Sequence, residues 1–164
     1  MAMTISTEGM NELSAMLAKL GDKAQEVASK ALYEGAGVVA NAMKKGTGSI
    51  STEPFKGKRV YGYRLASPEE KAAVHGKTGI AKFDKNGSEV NTLVGLARDS
   101  GYVQLGSRKT PVIEIARSIN SGTSFMHKQP VFRRAVSQSK AEAQAAIEAK
   151  AEAMFNEIIR NMNG

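Results

Sequence analysis

The segment Ile115-Ala116-Arg117-Ser118-Ile119-Asn120-Ser121-Gly122-Thr123, followed after a short loop by Gln129-Pro130-Val131-Phe132-Arg133-Arg134-Ala135, says most about how this 164-residue chain folds. Upstream, Thr110 to Ile119 alternates, with Val112, Glu114 and Ala116 opposite Ile113, Ile115 and Arg117, and alternation predicts a strand. Glycine at 122 permits a turn that ends it, and Thr123 stands in that turn. Pro130 has a fixed φ and sets the entry into the last helix. Val131 and Phe132 anchor that helix on the core, which leaves Arg133 and Arg134 at its outer start, open to a neighbour.

From Val131 the helical pattern runs to about Met162, roughly 45–50 Å at 1.5 Å per residue. Its apolar stripe reads Ala135, Ala143, Ala146, Ile147, Ala151, Met154, Ile158, Met162. A stripe this narrow and alanine-rich docks on a sheet or a partner and is not buried all round. The N-terminal third is also helical in pattern. Met10, Leu13, Leu17 and Leu20 line one face, with Ser6 or Thr7 as the cap. After Gly21-Asp22 a second helix carries Val27, Ala31, Val38 and Ala42, and ends near Lys44-Lys45-Gly46, where cations and a glycine suit a helix C-terminus. Gly35 and Gly37 inside it imply close backbone packing or a local kink.

Between these ends, Gly46 to Ser88 lacks sustained periodicity and reads as a flexible basic insertion carrying a hairpin or short helix. Val60 to Leu65 is a candidate strand, and Ser67-Pro68-Glu69-Glu70 a helix start with Ser67 as cap. From Lys44 to Lys82 nine basic residues face only Glu53, Glu69 and Glu70. Glu89 to Leu96 is a strand, Asp99-Ser100-Gly101 a turn, and Tyr102 to Leu105 a second strand. The expected fold is therefore α+β: one domain over residues 1–164, an antiparallel sheet of about four strands, N-terminal helices and a long C-terminal helix.

Composition sets the limits on chemistry. Net charge is +7, and no cysteine is present, which excludes disulfides, zinc–thiolate sites and thiol nucleophiles. The first twenty residues lack the pattern of a secretory signal, and no window approaches the ~18 apolar residues of a membrane span, so no membrane contact is expected. His75 and His127 stand far apart with no carboxylate at ligand spacing, so no metal site is expected. Lys77-Thr78-Gly79 and Ser137-Gln138-Ser139-Lys140 resemble fragments of serine penicillin-recognising enzymes, but in reversed order and without the Ser-Asp-Asn element. Gly46-Thr47-Gly48 lacks the phosphate-loop pattern. No nucleophile, base and orienting group come together. No catalytic residue and no cofactor are expected, and the chain reads as a non-enzyme.

The opening Glu8-Gly9-Met10-Asn11-Glu12-Leu13, the turn Ser121-Gly122-Thr123 and the helix start Pro130-Val131-Phe132-Arg133-Arg134-Ala135 resemble the head–tail joining and tail-completion proteins of long-tailed phages. Members share a Glu-x-Gly-Thr turn, a Gln/Ala-Pro-Phe helix start and a long Ala/Glu/Lys-rich C-terminal helix. Here Asn120-Ser121 replaces the acidic residue before Gly-Thr, and Val131 intervenes between the proline and Phe132. The resemblance implies a hexameric ring at the head–tail interface of a virion, assembled in the host cytoplasm. Such a ring caps the tail tube, docks to the head-side connector and leaves a lumen for DNA. It implies Lys56, Lys58, Arg59, Arg64, Arg133 and Arg134 as interface residues, and Gly122, Thr123, Pro130 and Phe132 as the turn and helix anchor. The alternative is a basic nucleic-acid-binding module, for which the net charge argues. No recognition helix or aromatic stacking platform is apparent, and charge alone gives only salt-sensitive, sequence-independent affinity.

Overall fold

A computed structural model of the protein describes residues 23–54, 64–86, 89–97 and 99–163, with the backbone alone at 81–86, 89, 162 and 163. The helix expected over Met10 to Leu20, residues 60–63 of the strand expected over Val60 to Leu65, and Lys56, Lys58 and Arg59 lie outside the described residues. The first described element is helix α1, Lys23–Gly48, with Glu26 in its first turn and Lys45 in its last, each at the end its charge prefers. It buries Val27, Ala31, Gly35, Ala36, Ala40 and Met43. These side chains are nearly all small, so partners reach the helix axis closely.

The closest approach is made by the C-terminal helix α4, Val131–Asn163. Gly46 lies against Val131 and Ala135, and Gly35 against Ala143 and Ile147, so the two helices run antiparallel. A Cβ added at Gly35 would fall 3.0 Å from the Ala143 carbonyl oxygen and closer still to the Ile147 side chain. Glycine costs a helix interior about 1 kcal/mol relative to alanine, and here it is what lets α4 seat. Gly37 has no such role, with nothing within 4 Å of an added Cβ.

Helix α2, Pro68–Lys77, starts where the sequence places it. Ser67 accepts from the Glu70 N–H, the Glu70 carboxylate accepts from the Ser67 N–H, and proline takes the first turn, a complete capping box. Strand β1, Thr78–Asn86, pairs antiparallel with β2, Glu89–Leu96, with an irregularity between Ile80 and Lys82, and this hairpin lies against α1. A second hairpin pairs β3, Tyr102–Leu105, with β4, Arg108–Pro111. Helix α3, Val112–Ser121, follows at once. The main core gathers Ile50, Ala66, Val74, Val112, Ile115, Ala116, Ile119 and Met126, so it sits between α2 and α3 and is closed by Val131 and Phe132 from the start of α4.

The α+β class is as expected, and three finer expectations are corrected. The residues read as a strand over Thr110 to Ile119 are strand only as far as Pro111. Val112, Ile115, Ala116 and Ile119 are the buried set, at spacings of three, four and seven, and this is a helical period that outweighs the local alternation. The four strands form two separate two-stranded sheets, because the first hairpin lies on α1 while the second leads straight into α3. The stretch from 46 to 88 is not one long loop, since it holds the end of α1, α2 and the whole of β1, with bridges Thr52–Ala66 and Arg64–Met126.

The two glycines of α1 should therefore separate in thermal unfolding. Gly35→Ala is expected to destabilise by about 1–3 kcal/mol through overpacking against α4. Gly37→Ala is expected to stabilise by up to about 1 kcal/mol. Equal effects in calorimetry would contradict the close approach at Gly35.

Candidate functional site

Two of the stretches that carry the family resemblance, the turn at Ser121-Gly122-Thr123 and the helix start at Pro130, meet in one joint, where three segments of chain come together ahead of α4; the opening Glu8 to Leu13 lies outside the described residues. Ile119 ends the buried face of α3, and its carbonyl accepts from the Gln129 N–H at 2.7 Å. The Gln129 side chain then copies strand pairing with Ser51. Its Oε1 accepts from the Ser51 N–H at 2.8 Å, and its Nε2 donates to the Ser51 carbonyl at 3.0 Å. Beside it, Arg64 pairs with the loop before α4, its N–H donating to Phe125 O and its carbonyl accepting from His127 N–H, both at 2.9 Å. Glu53 closes the third side: its N–H donates to Ala66 O, and its carboxylate accepts from Leu65 N–H.

Asn120 explains the departure from the acidic residue of the resembled pattern. Its Oδ1 accepts from the Phe132 N–H at 3.2 Å and, at the outer limit of 3.5 Å, from Arg133 N–H. A side chain near the end of α3 thus caps the start of α4, satisfying N–H groups that have no partner within their own helix. The carbonyl oxygen of asparagine serves as a carboxylate would, without the charge.

Each anchor residue has a local task. Gly122 has φ +76° and its N–H donates to Ser118 O, ending α3 in a conformation that L side chains rarely adopt. Lys128 presses on it, 3.0 Å from where a Cβ would stand. Thr123 closes the next turn: its N–H donates to Met126 O, and its Oγ1 accepts from the N–H groups of Phe125 and Met126 at 3.2 and 3.1 Å. Pro130 offers its carbonyl to Arg134 N–H, the first bond of α4, and Phe132 packs on the core.

Of the expected interface cations, Arg64 is engaged inside the chain. Its Nη1 and Nη2 each lie 2.7 Å from a different carboxylate oxygen of Glu70, and Nη1 also donates to Leu65 O. The Glu70 side chain is 2% exposed and that of Arg64 31%. The hydrogen bonds to Glu70 raise the pKa of the guanidinium above its usual value, so it does not titrate in any pH range where proteins fold. The Glu70 carboxylate, with the Ser67 N–H as its third donor, is fully partnered despite its burial. The sequence places Glu70 in a helix start and among the acids opposing the basic run, and gives it no partner. The Ser-x-x-Glu capping signature at Ser67 was the signal that marked it as internal.

Arg133 and Arg134 stand exposed in the first turns of α4, and the loop before it exposes Lys128, His127 and Phe125, the last to 47%. No acidic residue occupies the first turn of α4, so these cations stand at the helix end that disfavours them. Other large apolar side chains are strongly exposed elsewhere, among them Tyr33 on α1 and, at 63% each, Leu93 on β2 and Tyr102 on β3. Lys109 lies over the Tyr102 ring, 4.9 Å from its centre.

The motif fragments have structural uses. Thr47 lies in the last turn of α1, where carbonyls point outward, the reverse of a phosphate cradle. Its hydroxyl donates to Lys44 O, so His75 Nδ1, 3.0 Å away, is the donor to Thr47 Oγ1. Thr78 and Ser139 donate to the carbonyls of Val74 and Ala135, four residues back. Among the described residues no group of three or more His, Asp or Glu is placed to hold a metal ion, and no helix is long and apolar enough to cross a membrane. Comparison of the chain with protein-family models, with curated proteins and with solved structures finds no match.

Two sets of substitutions test the joint, read by urea unfolding. Asn120→Ala is expected to lose about 1 kcal/mol and Asn120→Asp to retain or exceed wild-type stability, as an anion at a helix N-terminus should. Arg64→Ala is expected to lose about 3 kcal/mol, because it strands a buried carboxylate. Glu70→Ala should lose less, since the freed guanidinium can turn to water. An Asn120→Asp variant no better than Asn120→Ala would contradict the cap.

Proposed function

We propose that this chain is a structural protein of a tailed-phage virion, one that closes copies of itself into a ring at the head–tail interface. In this reading the ring completes the tail tube, presents a surface to the head-side connector and leaves a lumen through which DNA passes without sequence-specific contact. A hexamer is the stoichiometry the family resemblance implies. The reading rests foremost on the joint: of the three stretches that carry the resemblance, the turn and the helix start fall there, where Gly122, Thr123, Gln129, Pro130 and Phe132 each have a bond or contact and Asn120 takes the place of the pattern's acidic residue.

Incomplete packing points the same way. A two-stranded sheet is marginal alone, and this fold has two of them. The helix pair is lined mainly by alanine and glycine, which bury little area per residue. Leu93, Tyr102 and Phe125 stand exposed. Folds of this kind gain stability when neighbours bind the folded state, and head-to-tail contacts that close by rotation give rings.

Electron microscopy of the purified protein should show closed rings with a central hole, and phage made without it should yield tails that fail to join heads or that vary in length. A monomer that binds duplex DNA tightly at moderate salt would instead favour the nucleic-acid-binding alternative and end the structural reading.

A further inference from the structure

Helix α4 is electrically two-ended. From 128 to 141 the chain carries Lys128, Arg133, Arg134 and Lys140 and no acidic residue. From 142 to 157 it carries Glu142, Glu148, Glu152 and Glu157 against the single cation Lys150. All of these side chains are exposed, and none lies in a salt bridge with another described residue, though Glu157 acts electrostatically on Lys30 and Glu148 accepts from Gln144 Nε2 at 2.9 Å. Their order along the helix is unfavourable in two places. Glu148 and Glu152 are four apart and repel, and Arg133 and Arg134 oppose the helix dipole.

The two ends share a side. Arg134 and Glu152 are eighteen residues apart, five whole turns, so they lie on one line along the helix, about 27 Å from each other. Glu148 stands one turn before Glu152, close to the same line. The apolar stripe of α4 faces elsewhere, with Ala135, Ser139 and Ala143 buried. The outward side of one helix therefore carries a basic patch, Arg134 with Arg133 beside it, and an acidic patch, Glu148 and Glu152, too far apart to satisfy each other in the same chain and complementary to the same patches on a second copy.

We infer that α4 is a contact that joins one copy to the next, the Arg133–Arg134 end of one helix laid along the Glu148–Glu152 stretch of its neighbour's. This rests on the ring reading and names the surfaces that would close it. Contact of a basic end with an acidic middle is directional, as a head-to-tail ring requires. It also gives the cations at the start of α4 the anions that their own helix withholds. Charge pairs between surfaces fix register and partner more than raw affinity, so assembly should weaken as salt rises.

The test is a charge swap, read by light scattering on size-exclusion fractions at low and at physiological ionic strength. Arg133→Glu with Arg134→Glu places acids in the first turn of α4, which favours the fold, so loss of assembly in that variant is not loss of structure. Glu148→Lys with Glu152→Lys changes two exposed residues. Each double variant alone is expected to need about tenfold or more protein to assemble, and an equimolar mixture of the two is expected to recover assembly. If wild type assembles and both variants assemble as it does, or if mixing restores nothing, the contact is overturned and the ring reading stands. If wild type stays monomeric at every concentration and salt, both fall.

Discussion

A single carboxylate organises the middle of this fold. Glu70 is almost wholly buried, and burying an ionised group is costly unless its charge and its lone pairs are met. The Ser67 N–H and the two terminal nitrogens of Arg64 meet them, and each of these partners is fixed to a different part of the chain. Ser67 starts α2. Arg64, through its own backbone, pairs with Phe125 and His127 in the loop that precedes α4. The electrostatic requirement of one side chain thus couples the short helix under the core to the joint from which the long helix departs.

From that joint the remaining geometry follows in steps. Gly122 and Thr123 turn the chain off α3, Gln129 ties it to the end of α1 through Ser51, and Asn120 receives the start of α4. The direction of α4 is then set, and the small residues of α1 let it lie close along that helix for much of its length. Its outward side is left to solvent with its charges sorted by sign. The joint thus takes its shape from bonds between segments distant in the sequence.

Much of this was legible in the residues. Helix α1, the start of α2 at Ser67-Pro68, strand β2 and the whole of α4 follow from period, caps and turn chemistry. Helix α3 was not legible as a helix. Over ten residues Val112 to Ser121 satisfies a period of two almost as well as one of 3.6, and only burial of Ile115, Ala116 and Ile119 on one side decides between them. The split into two sheets is a tertiary outcome with no local signal. Long-range bonds were equally hidden: nothing in the basic run distinguishes Arg64, paired inside, from a solvated cation, and the bond between Gln129 and Ser51 spans seventy-eight positions. Arg133 and Arg134 stand exposed at the start of the last helix, as the sequence places them, because a helix start is itself a sequence feature.

The most direct test of the organising role of Glu70 is native-state hydrogen exchange on Glu70→Gln, which keeps the side-chain volume and removes the charge. The expected result is a joint loss of protection: the amides of Arg64, Gly122, Gln129 and Phe132 should exchange faster together with the first turn of α2. If protection falls only in α2 while the amides of the joint remain as slow as in wild type, the coupling through Arg64 is contradicted, and the two regions hold their structure independently.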